Sequence, residues 1–222
     1  EYQVLVDTFA GYFPYDEVLG RMYAIADDKA TRPRRFLFFK FQAPEEAIPL
    51  FEKLIGNGAQ WSRAAELQFR LGRIYEKSKQ YDLAVDAYGQ YIQRYPFGAL
   101  AEQALFSQGL CGYRYARRHP VSDELRENAV ALLQGFLDAY PYSDMAAQAR
   151  ACRDELQAEL AASLFRQAAF YDKTARLARG EPARRRALEA ARICYRRVEE
   201  EFPTSPESTR ARARGDAIAA QL

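Results

Sequence analysis

The sequence predicts an all-α chain: a right-handed superhelical solenoid of about five stacked helical hairpins. Three observations predict it. Apolar residues recur at three- and four-residue steps, as in Ala64, Leu67, Leu71, Ile74 and Tyr75, then Leu83, Ala84, Ala87, Tyr88, Tyr91 and Ile92. Strand patterning is nearly absent. A corner of one form, aromatic, Pro, any residue, helix-capping residue, recurs as Phe13-Pro14-Tyr15-Asp16, Tyr95-Pro96-Phe97-Gly98, Tyr140-Pro141-Tyr142-Ser143 and Phe202-Pro203-Thr204-Ser205. Proline disfavours helix in the residue before it and supplies no N–H, and Asp, Gly or Ser two residues on caps the next helix.

Element by element, the chain reads as one solenoid over 1–222 with no linker. Glu1 is not an initiator and the opening residues read as mid-helix, so a processed or trimmed product is expected, with any signal peptide or lipid site upstream. Between corners 13–16 and 95–98 there is room for another, which Gly56-Asn57-Gly58-Ala59-Gln60-Trp61-Ser62 (56–62) supplies with Ser62 as its cap. The run Phe36-Leu37-Phe38-Phe39-Lys40-Phe41, bracketed by Pro33 and Pro44, predicts a packed loop or a helix extension. Ser78-Lys79-Gln80-Tyr81 is a minimal hairpin turn, and Arg117 to Ser122 a longer one. The N-terminal half thus holds regular repeats. The C-terminal half is elongated: corner 140–143, a long helix from about Met145 to Arg179, a Gly180-Glu181-Pro182 break, corner 202–205, and a capping helix over 206–222.

The segment from Ala65 to Pro96 resembles a tetratricopeptide repeat, with Leu71-Gly72 and Tyr75 on the first helix, Ala84, Tyr88 and Tyr91 on the second, and Pro96 behind them. Glycine inside a helix costs about 1 kcal/mol against alanine, so Gly72 predicts a close helix crossing with Ala84 facing it. The second-helix spacing recurs in Ala47, Phe51 and Leu54, in Ala129, Leu133 and Phe136, and in Ala191, Tyr195 and Val198. From Ala84, Ala129 and Ala191 the corner proline follows twelve residues later each time. Gly109 repeats Gly72, but Gly112 replaces the equivalent of Tyr75, which predicts a weaker or differently packed helix.

Composition removes several function classes. Lys+Arg 32 against Asp+Glu 30 lacks the basic surplus of a nucleic-acid binder, so no nucleic-acid partner is expected. No apolar run reaches the length of a membrane span. One histidine, His119, and three cysteines without a C-x-x-C pair leave no metal framework. G-x-G-x-x-G, phosphate-loop, H-E-x-x-H and G-x-S-x-G motifs are missing, so no catalytic residue and no cofactor are expected. The carboxylate pairs Asp27-Asp28 and Glu45-Glu46 read as helix-end residues serving caps and dipoles. Cys111, Cys152 and Cys194 read as free thiols in helices, His119 as exposed in a turn, and Trp61 as an anchor for its corner.

About five hairpins with stretched fourth and fifth members resemble the BamD-like family of outer-membrane assembly lipoproteins, part of the bacterial β-barrel assembly machinery. The aromatic-Pro-x-Ser corner also occurs in other periplasmic repeat proteins such as the Tol-Pal coordinator type, and a generic cytoplasmic adaptor is a further alternative. The long connection 31–42 and the missing lipidated cysteine depart from the family pattern. The resemblance implies a protein at the periplasmic face of the outer membrane, in contact with the membrane only through a lipid anchor. Its implied partners are the POTRA domains of the β-barrel insertase and unfolded outer membrane proteins.

In this fold the first helix of each hairpin lines the concave face. The register of Gly72 places Glu66, Phe69, Arg73 and Glu76 there, and that of Gly109 places Gln103, Phe106, Leu110 and Tyr113. Phe69 and Phe106 either form a ladder for an aromatic-ended peptide, with Arg73 bonding its carboxylate, or lie buried between hairpins. Phe69, Arg73 and Ser107 do not match the Lys and Asn of a chaperone-tail clamp. From Lys173 to Arg214, twelve basic residues face six acidic ones. Arg184, Arg185, Arg186, Arg196 and Arg197 there form a candidate patch for an acidic partner, unless glutamates on neighbouring turns neutralise them.

Overall fold

In a computed structural model, which describes residues 4, 14–36, 39–41, 43–58 and 60–222, each helix packs mainly on its neighbours in sequence. The order is α1 (Tyr15–Thr31), a two-stranded ribbon of β1 (Arg34–Phe36) and β2 (Phe39–Phe41), a short 3-10 helix (Pro44–Ala47), then α2 (Ile48–Asn57) and α3 (Ala64–Lys77). After these come α4 (Tyr81–Arg94), α5 (Ala101–Arg118), α6 (Asp123–Ala139), α7 (Ala146–Leu177), α8 (Glu181–Glu201) and α9 (Pro206–Ala219). The hairpins α1–α2, α3–α4, α5–α6 and α7–α8 follow one another, and α9 closes the stack as the first half of a further unit. No helix among the described residues is long and apolar enough to cross a membrane.

The repeating second-helix triads are the spine of the core. Ala47, Phe51 and Leu54, Ala84, Tyr88 and Tyr91, Ala129, Leu133 and Phe136, and Ala191, Tyr195 and Val198 are all at most 2% exposed. Each large member contributes about 2 kcal/mol of burial energy, so the triads hold every hairpin to the next.

Glycines let the first helices approach these triads. A Cβ on Gly72 would stand 2.7 Å from Cε1 of Tyr88, and one on Gly109 would stand 2.9 Å from Cδ2 of Leu133. Tyr88 and Leu133 occupy the same triad position, so the two glycines do the same job one hairpin apart. The residue over Gly72 is thus Tyr88, not Ala84. Beside Gly112 the space is taken by Leu132 and Ala129, a different packing from that around Tyr75.

The corners share one backbone form. Tyr95, Tyr140 and Phe202 have φ/ψ of −131/57, −133/63 and −131/56 degrees. In each, the residue three positions on donates its N–H to the aromatic residue's carbonyl: Gly98 to Tyr95, Ser143 to Tyr140, Ser205 to Phe202. Capping differs from expectation. Only Ser205 among the predicted caps accepts a bond from the first turn, from Ser208 N at 3.2 Å. The helices behind Gly98, Ser143 and Ser62 begin after an extra turn, with Leu100, Met145 and Arg63 at their starts and no side-chain cap. The helix behind Pro14 begins at Tyr15, so Asp16 lies inside it, and Phe13 lies outside the described residues, as do residues 1–3.

Other corrections are local. The aromatic run is not a loop or helix extension. Arg34 pairs with Phe41, Arg35 with Lys40 and Phe36 with Phe39 in antiparallel register, while Leu37, Phe38 and Gln42 lie outside the described residues. Asp27 and Asp28 sit in the last turn of α1, where the helix dipole opposes them. Asp27 is held instead by Arg70 of α3 at 2.6 Å and Asp28 by Arg32 at 3.3 Å. Trp61 is buried beside Tyr23, and the guanidinium of Arg63 lies over both rings. His119 is exposed behind α5, and all three cysteines are free thiols.

Candidate functional site

The first helices are joined to one another by a ladder of polar struts at a nearly constant sequence step. Tyr23 donates to Glu66 (2.8 Å) and Arg70 to Asp27 (2.9 Å), joining α1 to α3. Arg114 donates to Glu76 (2.6 Å), joining α3 to α5. Tyr113 donates to Glu155 (2.7 Å) and Arg117 pairs with Glu159, joining α5 to α7. Arg214 grips Asp172 with two bonds of 2.6 and 2.8 Å, joining α7 to α9. The hydrogen bond from Arg63, then that from Tyr23, keep the Glu66 carboxyl below its ordinary range, and burial plus the Glu66 contact push the Tyr23 phenol up to about 12.

Between the struts, α3, α4, α5 and the start of α7 enclose a cleft of ≈ 280 Å³. Phe69, Arg73 and Glu76 of α3 meet Gln103 and Phe106 of α5 there, together with Tyr88, Ser107 and Met145. Five of the eight predicted concave-face residues therefore converge. Phe69 is 8% exposed, with its ring 5.5 Å from Tyr88 and 5.9 Å from Tyr91, so it forms the floor and is not a free rung. Phe106 is half-buried, 5.4 Å from Phe136. Glu66 and Tyr113 lie away from the cleft in the struts, and Leu110 is half-buried outside it.

The charges in the cleft are unequal in their freedom. Glu76 accepts from both Arg114 and the Tyr88 hydroxyl, and burial first, with Glu76 beside it, raises the Tyr88 phenol far above its ordinary value. Arg73 is exposed on the rim and has no ion-pair partner among the described residues. An anionic group entering the cleft therefore meets one unspent cation, the amide of Gln103 and the hydroxyl of Ser107 over an aromatic floor. Periodicity assigns Tyr88 to the core and says nothing of Met145. The one available signal for Met145 is its place directly behind the Tyr140–Ser143 corner.

The basic patch is largely neutralised. Arg185, Arg196 and Arg197 pair with Glu189, Glu200 and Glu201 one turn on, at 3.2, 2.8 and 2.8 Å, and Arg184 stands 3.9 Å from Glu181. Of the five, Arg186 alone has no such partner among the described residues. Exposed pairs of this kind carry little net field beyond a Debye length, so the arginine run on α8 is chiefly a solvated face.

Residues 66–97 match the family model described as tetratricopeptide repeat. No curated protein sequence matches the chain. The match spans most of α3, all of α4 and the start of the corner behind them, the hairpin in which Tyr88 fills the space over Gly72. The chain is a helical solenoid with a tetratricopeptide repeat at 66–97, the architecture of a protein-interaction scaffold.

Proposed function

We propose that the chain is a non-catalytic scaffold subunit of a bacterial outer-membrane β-barrel assembly machine. It works at the periplasmic face of the outer membrane, tethered by a lipid on a longer precursor. Its cleft receives the aromatic-ended C-termini of unfolded barrel proteins, and its C-terminal hairpins meet the POTRA domains of the insertase. The observation that carries the reading is the cleft, where Phe106 and Met145 offer apolar area and Arg73 offers an unpaired cation. The lengthening of the hairpins, from 14 residues in α3 and α4 to 32 in α7, supports the layout.

A fluorescent peptide ending in Phe with a free carboxylate tests the cleft. The full chain should bind it, and Arg73→Glu should weaken binding by roughly tenfold, about 1.4 kcal/mol. Equal binding of the C-terminally amidated peptide would refute the role of Arg73. Affinity capture from solubilised outer membranes tests the machine, and an insertase absent from the captured material would remove that assignment while leaving the cleft intact.

A further inference from the structure

α7 outruns the hairpin before it, with 32 residues against 18 in α5 and 17 in α6, and the mismatch leaves a notch. One face of α7 packs on that hairpin. Glu159 takes Arg117 and Arg126, and Ser163 Oγ donates to Asp123 in the first turn of α6 at 2.7 Å. At 100° per residue, Arg166, Phe170, Lys173 and Leu177 continue the same face within roughly 40° of Glu159. There α5 has already ended and α6 not yet begun.

The continuation is bare. Phe170 is 65% and Leu177 72% exposed on this continuation. At the inner angle a cavity of ≈ 330 Å³ opens between Pro120, Arg126, Glu159, Ala162 and Arg166. Arg166 and Lys173 are exposed and have no carboxylate partner among the described residues. From Arg166 to Arg192 the sequence carries eight cations against three acids, and once Arg176, Arg184 and Arg185 pair with Asp172, Glu181 and Glu189, the cations left over are Arg166, Lys173, Arg179, Arg186 and Arg192.

We propose that this notch docks an amphipathic helix of a partner protein that carries an acidic flank. A single exposed apolar side chain is ordinary on a protein surface. Here Phe170 and Leu177 share one helix face with the unpaired cations Arg166 and Lys173, and the earlier part of that face is met by α5 and α6. A guest helix continues that packing over the overhang, whose Arg166 to Leu177 stretch is roughly 17 Å long. Its apolar stripe covers Phe170 and Leu177, and its Asp or Glu residues pair with Arg166 and Lys173. The inference depends on scaffold function alone and not on the membrane machine or on the cleft.

The test is fluorescence anisotropy on the full chain, with a labelled peptide of roughly 14 residues bearing Leu at helical spacing and Glu beside it. The control is a scrambled isomer of equal composition, and anionic phosphatidylglycerol vesicles are titrated in parallel. The amphipathic peptide should bind, more weakly as salt rises. Both Arg166→Glu/Lys173→Glu and Phe170→Ser/Leu177→Ser should reduce its affinity by roughly tenfold or more. Thermal melting should stay unchanged in both variants, because all four side chains are solvent-facing. Equal binding of the scrambled peptide, or indifference to both variants, overturns the proposal. Vesicle binding without peptide binding reassigns the notch to a membrane surface, and dimerisation abolished by the same substitutions reassigns it to a second copy. Either outcome also overturns it.

Discussion

Hairpin α3–α4 and hairpin α7–α8 solve the same packing problem in different ways. In the first, two helices of 14 residues close on a ring fitted over a glycine, with only Ser78, Lys79 and Gln80 between them. In the second, the long α7 buries small residues, Ala161, Ala168 and Ala175, and beside an apolar contact with Ala211 and Ile218 it is tied to α9 by the charge pair Asp172–Arg214. A steric fit does not depend on pH. A carboxylate in a pair does, so the fit inside α3–α4 and the tie from α7 to α9 differ in what can loosen them.

The largest effect should come from emptying the central fit. Tyr88→Ala removes a fully buried ring and should lose about 4 kcal/mol in urea unfolding. A loss below that of ordinary surface changes would mean the ring is not a keystone. Gly72→Ala places a methyl group against the same ring and should lose about 2 kcal/mol, despite the better helix propensity of alanine. Gly135→Ala on α6, where nothing lies within 4 Å, should gain about 0.5–1 kcal/mol. Like responses at the two glycines would erase the distinction drawn here.

The charge-tied end is tested by Asp172→Asn. The Asp172 side chain is 6% exposed, and bonds from Arg214 hold its carboxyl below the ordinary range. Its removal should lose about 2 kcal/mol at neutral pH, read as faster amide exchange in α9. Because the folded value is depressed, this stabilisation is complete above the ordinary Asp range and disappears as pH falls through the folded value. The wild type should therefore lose protection of α9 on acidification, and the Asn variant should show no such step. Smallest of all, Arg197→Ala breaks only an exposed pair with Glu201 and should change stability by less than about 0.5 kcal/mol.

Much of this architecture is legible in the sequence because it rests on spacing. The four second-helix triads, the long α7, the Gly180 break and the Ser205 cap follow from periodicity, proline and glycine. What spacing hides is rotation about a helix axis. A first helix faces its own partner and the next hairpin at once, so the pattern could not say that Phe69 would be the cleft's floor while Arg73, one turn on, stayed at its rim. Helices α3 and α5 start later than caps at Ser62 and Gly98 imply because an additional turn, closed by backbone bonds such as Ala101 N to Gly98 O, precedes each. The ribbon at Arg34–Phe41 is too short for alternation to distinguish it from a loop. The pairing of the arginines on α8 was foreseeable from glutamates four residues on; their unpaired fellows on α7 were not.

The corners at Tyr95, Tyr140 and Phe202 leave the chain heading in the same local direction each time. Any segment running from one such bend to the next is consequently a transferable cassette. Copying or excising one would lengthen or shorten the rod by a whole step while presenting its neighbours with the junction they already have.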